Sequence, residues 1–181
     1  MNIVTALATK YQVAALTVTD LQVGDVVKYK NRHDKAEIRF FTVAYKESNG
    51  DFYYYCSDEK GGLDKKCHSR VFHSNMFNAD EQKTFKKVGK KEFKVRKIKE
   101  FEIVKTGISA VDKDLAQLGG LMSLFEKYAP KSLKKKFDEM EDVNYHAENS
   151  KMIEAFSKWL EKGKEPKDFE KEYKFPELPT F

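Results

Sequence analysis

The sequence predicts an α+β protein: a small β-barrel over residues 1–105, followed by a bundle of short helices over residues 106–181. Three observations carry this. Alternating apolar residues and hairpin signals crowd the first part, whereas apolar residues recur every three or four positions from Ser109 onward. Charge divides at the same place. Residues 1–105 hold 21 Lys+Arg against 14 Asp+Glu, while residues 106–181 hold 13 lysines, 15 acids and no arginine.

Ile3, Leu7, Tyr11 and Ala14 stand at helical spacing, so a short helix is expected over residues 2–15. In Leu21-Gln-Val-Gly-Asp-Val-Val-Lys-Tyr-Lys30, Gly24-Asp25 reads as a tight turn opening a strand through Val26, Val27 and Tyr29. Ala36 to Lys46 is rich in β-branched and aromatic residues and predicts the second strand. Ser48-Asn49-Gly50-Asp51 predicts a hairpin with a type I′ turn, returning through Phe52 to Ser57. Gly61-Gly62 breaks the next connection, and Arg70 to Ser74 offers a further short strand. Phe93 to Val104 alternates in two phases, with Ile98 out of step, so a bulge or two strands meeting near Lys97 is expected.

The helical part shows four stripes. They are Val111, Leu115 and Leu118; Leu121, Leu124, Phe125 and Tyr128; Leu133, Phe137 and Met140, with Pro130 suited to the first turn; and Met152, Ile153, Phe156, Trp159 and Leu160, ending at Gly163. The proline-containing tail reads as one more short helix and an extended end.

Net charge is +5, yet Lys83 to Lys99 alone holds nine basic residues against Glu92. Concentrated charge repels itself and calls for a polyanionic partner or a well-solvated face. Apolar Phe85, Val88, Phe93, Val95 and Ile98 thread the run, so structured backbone presents it. Lys28, Lys30, Arg32, Lys35 and Arg39 form a second cluster near the first strand. Together with Lys86, Lys87, Lys90, Lys91, Lys94, Arg96, Lys97 and Lys99 they are the candidate nucleic-acid-binding residues. With 30 lysines against four arginines, phosphate contacts should outweigh base readout. The plainer account of these lysines is a soluble sheet edge, which needs only two or three of them.

The Leu21–Lys30 segment resembles the opening of a small SH3-like barrel of the KOW type, in which a hydrophobic-x-x-Gly-Asp-x-Val turn leads into the first strand. The resemblance rests on Val23, Gly24, Asp25 and Val26 and extends over residues 17–57. It lacks a counterpart of the later glycine of that pattern. The resemblance implies an SH3-like or OB-like barrel and contact with nucleic acid or with transcription and translation machinery. In size, charge and opening the chain also resembles the early DNA-binding transcription modulators of T4-like phages (the MotB type), a likeness that assigns no residue a role.

The expected function is binding of duplex DNA, mainly through phosphates and with weak sequence specificity, in an architectural or transcription-modulating role. RNA is the competing polymer. The alternative is a phage-type protein–protein inhibitor or adaptor whose basic face meets an acidic host protein surface. The helical part would supply a homodimer or host-protein contact, although its Met152/Phe156/Trp159 stripe is expected to pack on its own domain.

Other chemistries find little support. Cys56 and Cys67, ten residues apart, make no Cys-x-x-Cys pair, and with His68 and His73 they have the wrong spacing for a zinc knuckle. They read as reduced thiols. Phe52-Tyr53-Tyr54-Tyr55 offers rings for base stacking, though core packing explains it better. No phosphate loop, Gly-x-Ser-x-Gly elbow or His-Glu-x-x-His pair occurs, so neither an enzyme nor a cofactor is expected. No apolar run approaches the ~20 residues of a membrane span, and no basic n-region opens the chain. The expected location is the cytoplasm, or the host cytoplasm or nucleoid for a phage-encoded protein.

Overall fold

The computed structural model describes residues 20–33, 37–67, 71–142 and 146–177, and among these seven strands and six helices follow one another. The helix expected over residues 2–15 lies outside them. After the Gly24-Asp25 turn comes β1 (Asp25–Lys30), then β2 (Ile38–Lys46), β3 (Phe52–Ser57) and the two-residue β4 (Phe72–His73). A 3-10 turn and α1 (Ala79–Gln82) lead into β5 (Lys86–Lys90). These strands form one antiparallel sheet in the order β4-β3-β2-β1-β5. The chain thus returns to pair its last sheet strand with its first.

The sheet is open, where the sequence predicted a barrel. β4 has too few residues to carry a ladder across to β5, so the two remain edges. One face is sealed by an aromatic layer instead, and one end of the other by the helical part. On one face Val27, Tyr29, Phe41, Val43, Phe52 and Tyr54 meet Leu21, Phe77 and Phe85, with Tyr54 stacked on Phe77 at 4.5 Å between ring centroids. On the other, Ala44 and Tyr55 pack beneath Val111 and Leu115 of the helical part. The aromatic run of β3 is therefore core on both sides.

One local detail differs from the sequence reading, and a second follows one of its two alternatives, two strands meeting near Lys97. The β2–β3 hairpin forms, but its turn is not type I′, because only Gly50 takes a positive φ (+98°). Gly50 N–H bonds to Glu47 O and Glu47 N–H to Asp51 O, a three-residue loop ending in a left-handed glycine. The phase slip near Lys97 is a second hairpin, β6 (Lys94–Ile98) with β7 (Phe101–Lys105), turning at Lys99-Glu100, where Lys99 has φ +53°.

The helices are α2 (Ser109–Leu118), α3 (Gly120–Tyr128), α4 (Lys131–Asp142), α5 (His146–Glu161) and the short α6 (Phe169–Glu172). Their buried stripes follow the sequence periodicity, with one exchange. Ala116 is buried and Leu118 is 46% exposed, since the chain turns away at Gly119. Met152, Ile153, Phe156 and Leu160 lie in the same core as Leu124, Phe125 and Leu133. Trp159 packs edge-on against Phe169 and donates Nε1–H to Glu165 O at 2.8 Å, so the stripe serves its own domain. Ile98 and Ile103 of the β6–β7 hairpin join this helical core. Among the described residues no helix is long and apolar enough to cross a membrane.

Candidate nucleic-acid interface

Strand alternation sorts the basic residues before any partner is considered. Val27 and Tyr29 of β1 face the aromatic core, so Val26, Lys28 and Lys30 point to the opposite face. On that face Lys28 lies opposite Phe40 on β2 and opposite Lys86 on β5, and Lys30 opposite Ile38. Helix α2 covers only the Ala44–Tyr55 end of this face. At the other end Ile38 is 54% exposed and Phe40 half-buried, both outside the core clusters.

No carboxylate pairs with Lys28, Lys30 or Lys86 among the described residues. Cross-strand neighbours of like charge cost about 0.2–1 kcal/mol, so the Lys28–Lys86 juxtaposition works against the sheet that carries it. An edge strand protected by lysines does not need one on its inner neighbour.

The other predicted cations among the described residues stand elsewhere. Lys87 points to the other face, where its ammonium lies 2.7 Å from Oδ1 of Asp25, a carboxylate only 1% exposed. Asp25 Oδ2 accepts the Gln22 N–H at 2.9 Å, so the turn that opens β1 is also the counter-charge of β5. Arg32 reaches Glu81, whose Oε1 accepts the Arg32 backbone N–H at 3.1 Å while its Oε2 closes a capping box with Asn78. Arg39 pairs with Glu37 at 2.9 Å, and hydrogen bonds from Arg39 and Asn31 hold the Glu37 carboxyl below the usual range. Lys91 donates Nζ–H to Gly61 O at 3.0 Å. Lys90 is exposed at the end of β5, and Lys35 lies outside the described residues.

The Lys83–Lys99 run is thus split between two sheets. Lys94, Arg96 and Lys97 belong to β6, which packs on the helices. Arg96 lies 3.0 Å from Glu161 and 3.9 Å from Glu154, and Lys105 of β7 lies 2.8 Å from Glu154. Burial pushes the Glu154 carboxyl up, yet the bond from Lys105 and the charges of Arg96 and Lys158 leave it below its ordinary value. Arg96 therefore fastens the hairpin to α5. Lys97 faces outward opposite Glu102, Lys94 is exposed, and Lys99 lies over the Tyr128 ring at 4.8 Å from its centre.

Beside the Lys28–Lys30–Lys86 patch runs a groove of about 680 Å³, lined by Ile38 and Phe40, by Glu37, Asp58, Glu59 and Asp64, by Arg39 and Lys66, and by Ser57, Cys56 and Cys67. Its four carboxylates bound the patch electrostatically. The sequence reading missed Ile38 and Phe40 as surface groups and Asp25 as the partner of Lys87; parity with Lys28 and Lys30 across β1–β2 was the signal for the first two.

Of the zinc-type residues, Cys56, Cys67 and His73 are among the described ones. Cys56 and Cys67 meet, Sγ to Sγ, at 2.7 Å. His73 stands on β4 against Tyr53, and its Nδ1 accepts the Asn75 N–H at 3.2 Å, leaving the proton on Nε2. His68 lies outside the described residues. Glu47, Asp51 and His73 do approach one another, each with one ligand atom within 4.8 Å of the others.

No family model, curated protein or solved structure matches the chain.

Proposed function

We propose that this protein binds duplex DNA through phosphate contacts made by Lys28, Lys30 and Lys86, as an architectural or transcription-modulating factor. The observation that carries the reading is the pairing of Lys28 with Lys86 across β1 and β5, with, among the described residues, no carboxylate paired to either and no helix above them. Two ammonium groups held side by side at a cost to the fold are relieved by an anion lying across both. Uncovered Ile38 and Phe40 give the same surface an apolar floor on which sugar carbons can rest. The KOW-like turn at Val23–Val26 and the likeness to phage transcription modulators point the same way. Lysine predominates in the patch, so backbone neutralisation outweighs base readout.

Three neutralised phosphates give a log–log dependence of affinity on salt with a slope of about −2.7. A slope near −5 calls for about six contacts and would enlist Lys90, Lys94 and Lys97 as well. The test is a mobility-shift titration on unrelated duplexes at two salt concentrations, with single-stranded DNA and structured RNA as competitors. Retardation that weakens with this slope supports the reading; no retardation in dilute buffer removes it. A protein–protein adaptor is the second reading. It is favoured by the adjoining groove, where four carboxylates, two cations and exposed Ile38 form a mosaic suited to a protein surface. In that case the duplexes stay unshifted.

A further inference from the structure

Cys56 sits in β3, fixed by its register with Phe41, and Cys67 follows the Lys65-Lys66 turn within the next connection, with its N–H bonded to Asp64 O at 3.1 Å. Ten residues separate them in sequence, yet their Sγ atoms lie 2.7 Å apart. Both thiols are free and half-buried, and both line the groove beside the cationic patch. A separation this short is informative. Two thiolates on one tetrahedral zinc, each at about 2.3 Å from the metal, stand about 3.8 Å from each other, so these sulfurs are too close for that role. A covalent bond of about 2.05 Å needs only about 0.7 Å of further approach.

We propose that Cys56 and Cys67 form a redox modification site that a peroxide closes into an intramolecular disulfide. The Sγ of Cys67, at the end of its turn, attacks one peroxide oxygen. The O–O bond breaks, and the departing oxygen leaves as water with the thiol proton, giving a sulfenic acid at Cys67. Cys56 Sγ then attacks that sulfur, the S–O bond breaks, and the departing hydroxide takes the Cys56 proton as a second water. Two thiols and one peroxide become one disulfide and two waters. Burial pushes the Cys56 thiol up, with the Cys67 hydrogen bond adding to it. Closure cross-links β3 to the connection that carries Asp58, Gly61 and Asp64. That connection already binds Lys91 Nζ and the Tyr55 hydroxyl through Gly61 O, at 3.0 and 2.8 Å.

The test treats the reduced, full-length protein with one equivalent of hydrogen peroxide, followed by intact mass, non-reducing gel and peptide mapping. The expected product is a monomer about 2 Da lighter, with a Cys56–Cys67 peptide and no alkylatable thiol. Its melting midpoint rises by about 6 °C or more, as expected for a cross-link closing a loop of this size. Reversal by dithiothreitol restores the original mass and midpoint. Cross-linked dimers, thiols that stay fully alkylatable, or sulfinic acid without a cross-link would overturn the proposal. In Cys56→Ser, checked for folding by circular dichroism, a cyclic dione should trap sulfenic acid at Cys67; absence of that adduct refutes the assigned first step.

Discussion

Lys86 and Lys87 are neighbours of identical charge, and the structure gives them opposite roles. Replacing either with Gln removes one positive charge, so net charge is controlled between the two variants. Lys87→Gln leaves the Asp25 carboxylate, 1% exposed, with only the Gln22 N–H on Oδ2. Breaking a fully buried pair costs about 3–5 kcal/mol. Lys87 itself is 41% exposed, which scales the loss to about 1–2 kcal/mol. For a chain of 181 residues that lowers the melting midpoint by about 3–6 °C. Lys86→Gln instead relieves its repulsion with Lys28, so the midpoint holds or rises slightly, by about 0.2–1 kcal/mol in stability. Binding divides the other way. Lys86→Gln should flatten the log–log salt dependence of duplex affinity by about 0.9, while folded Lys87→Gln keeps the wild-type slope. Thermal denaturation and fluorescence anisotropy on a labelled duplex at four salt concentrations measure both. Equal losses of affinity in the two variants would mean that net charge alone drives binding, and the face assignment would be refuted.

Gly24 and Gly107 both take positive φ, +90° and +76°, but differ in surroundings. A Cβ on Gly24 would lie 2.2 Å from the Lys91 carbonyl oxygen, whereas one on Gly107 meets nothing within 4 Å. Gly107→Ala should therefore cost only the backbone term of about 1–2 kcal/mol, and Gly24→Ala clearly more, by urea denaturation; equal costs would show that the Lys91 contact gives way freely. At alkaline pH, burial pushes the hydroxyls of Tyr29 and Tyr55 up to about 12 and that of Tyr54 higher still. Their folded-state values exceed the unfolded value of about 10, so the stability they confer is intact below that pH and is lost as pH rises toward the folded values. Absorbance at 295 nm should show these tyrosines ionising together with loss of circular dichroism, above the titration of the exposed ones; full ionisation with the dichroism unchanged would contradict their burial.

Local periodicity made most of the elements legible. Leu133, Phe137 and Met140, or Met152, Phe156 and Leu160, mark buried helix faces because burial on a helix repeats within four residues. β1, β2 and β3 were legible for the matching reason in strands. Closure of the sheet was not, because it depends on whether β4 reaches β5, and nothing within Phe72-His73 encodes that distance. The cationic site was legible as composition and opaque as geometry. Lys86 and Lys87 look alike in sequence, and only pairing with β1 sends one toward Lys28 and the other toward Asp25. Arg96 was unreadable for the same reason, since Glu154 and Glu161 lie some sixty residues away. Cys56 and Cys67 meet because a turn at Asp64 folds the chain back, a geometry that motif spacing does not express.

The bond from Lys91 N–H to Gly24 O, at 2.7 Å, ties the sheet's first turn to the residue that follows its last strand. During synthesis β2 can zip onto β1 early, but the other flank of β1 stays bare until β5 has left the ribosome. For that interval Val26 and Lys28 edge an unfinished sheet, where lysine side chains discourage pairing with a second nascent chain. A truncation ending near Phe85 should therefore yield an aggregation-prone fragment, even though it carries nearly all the aromatic residues that fill the mature sheet's interior.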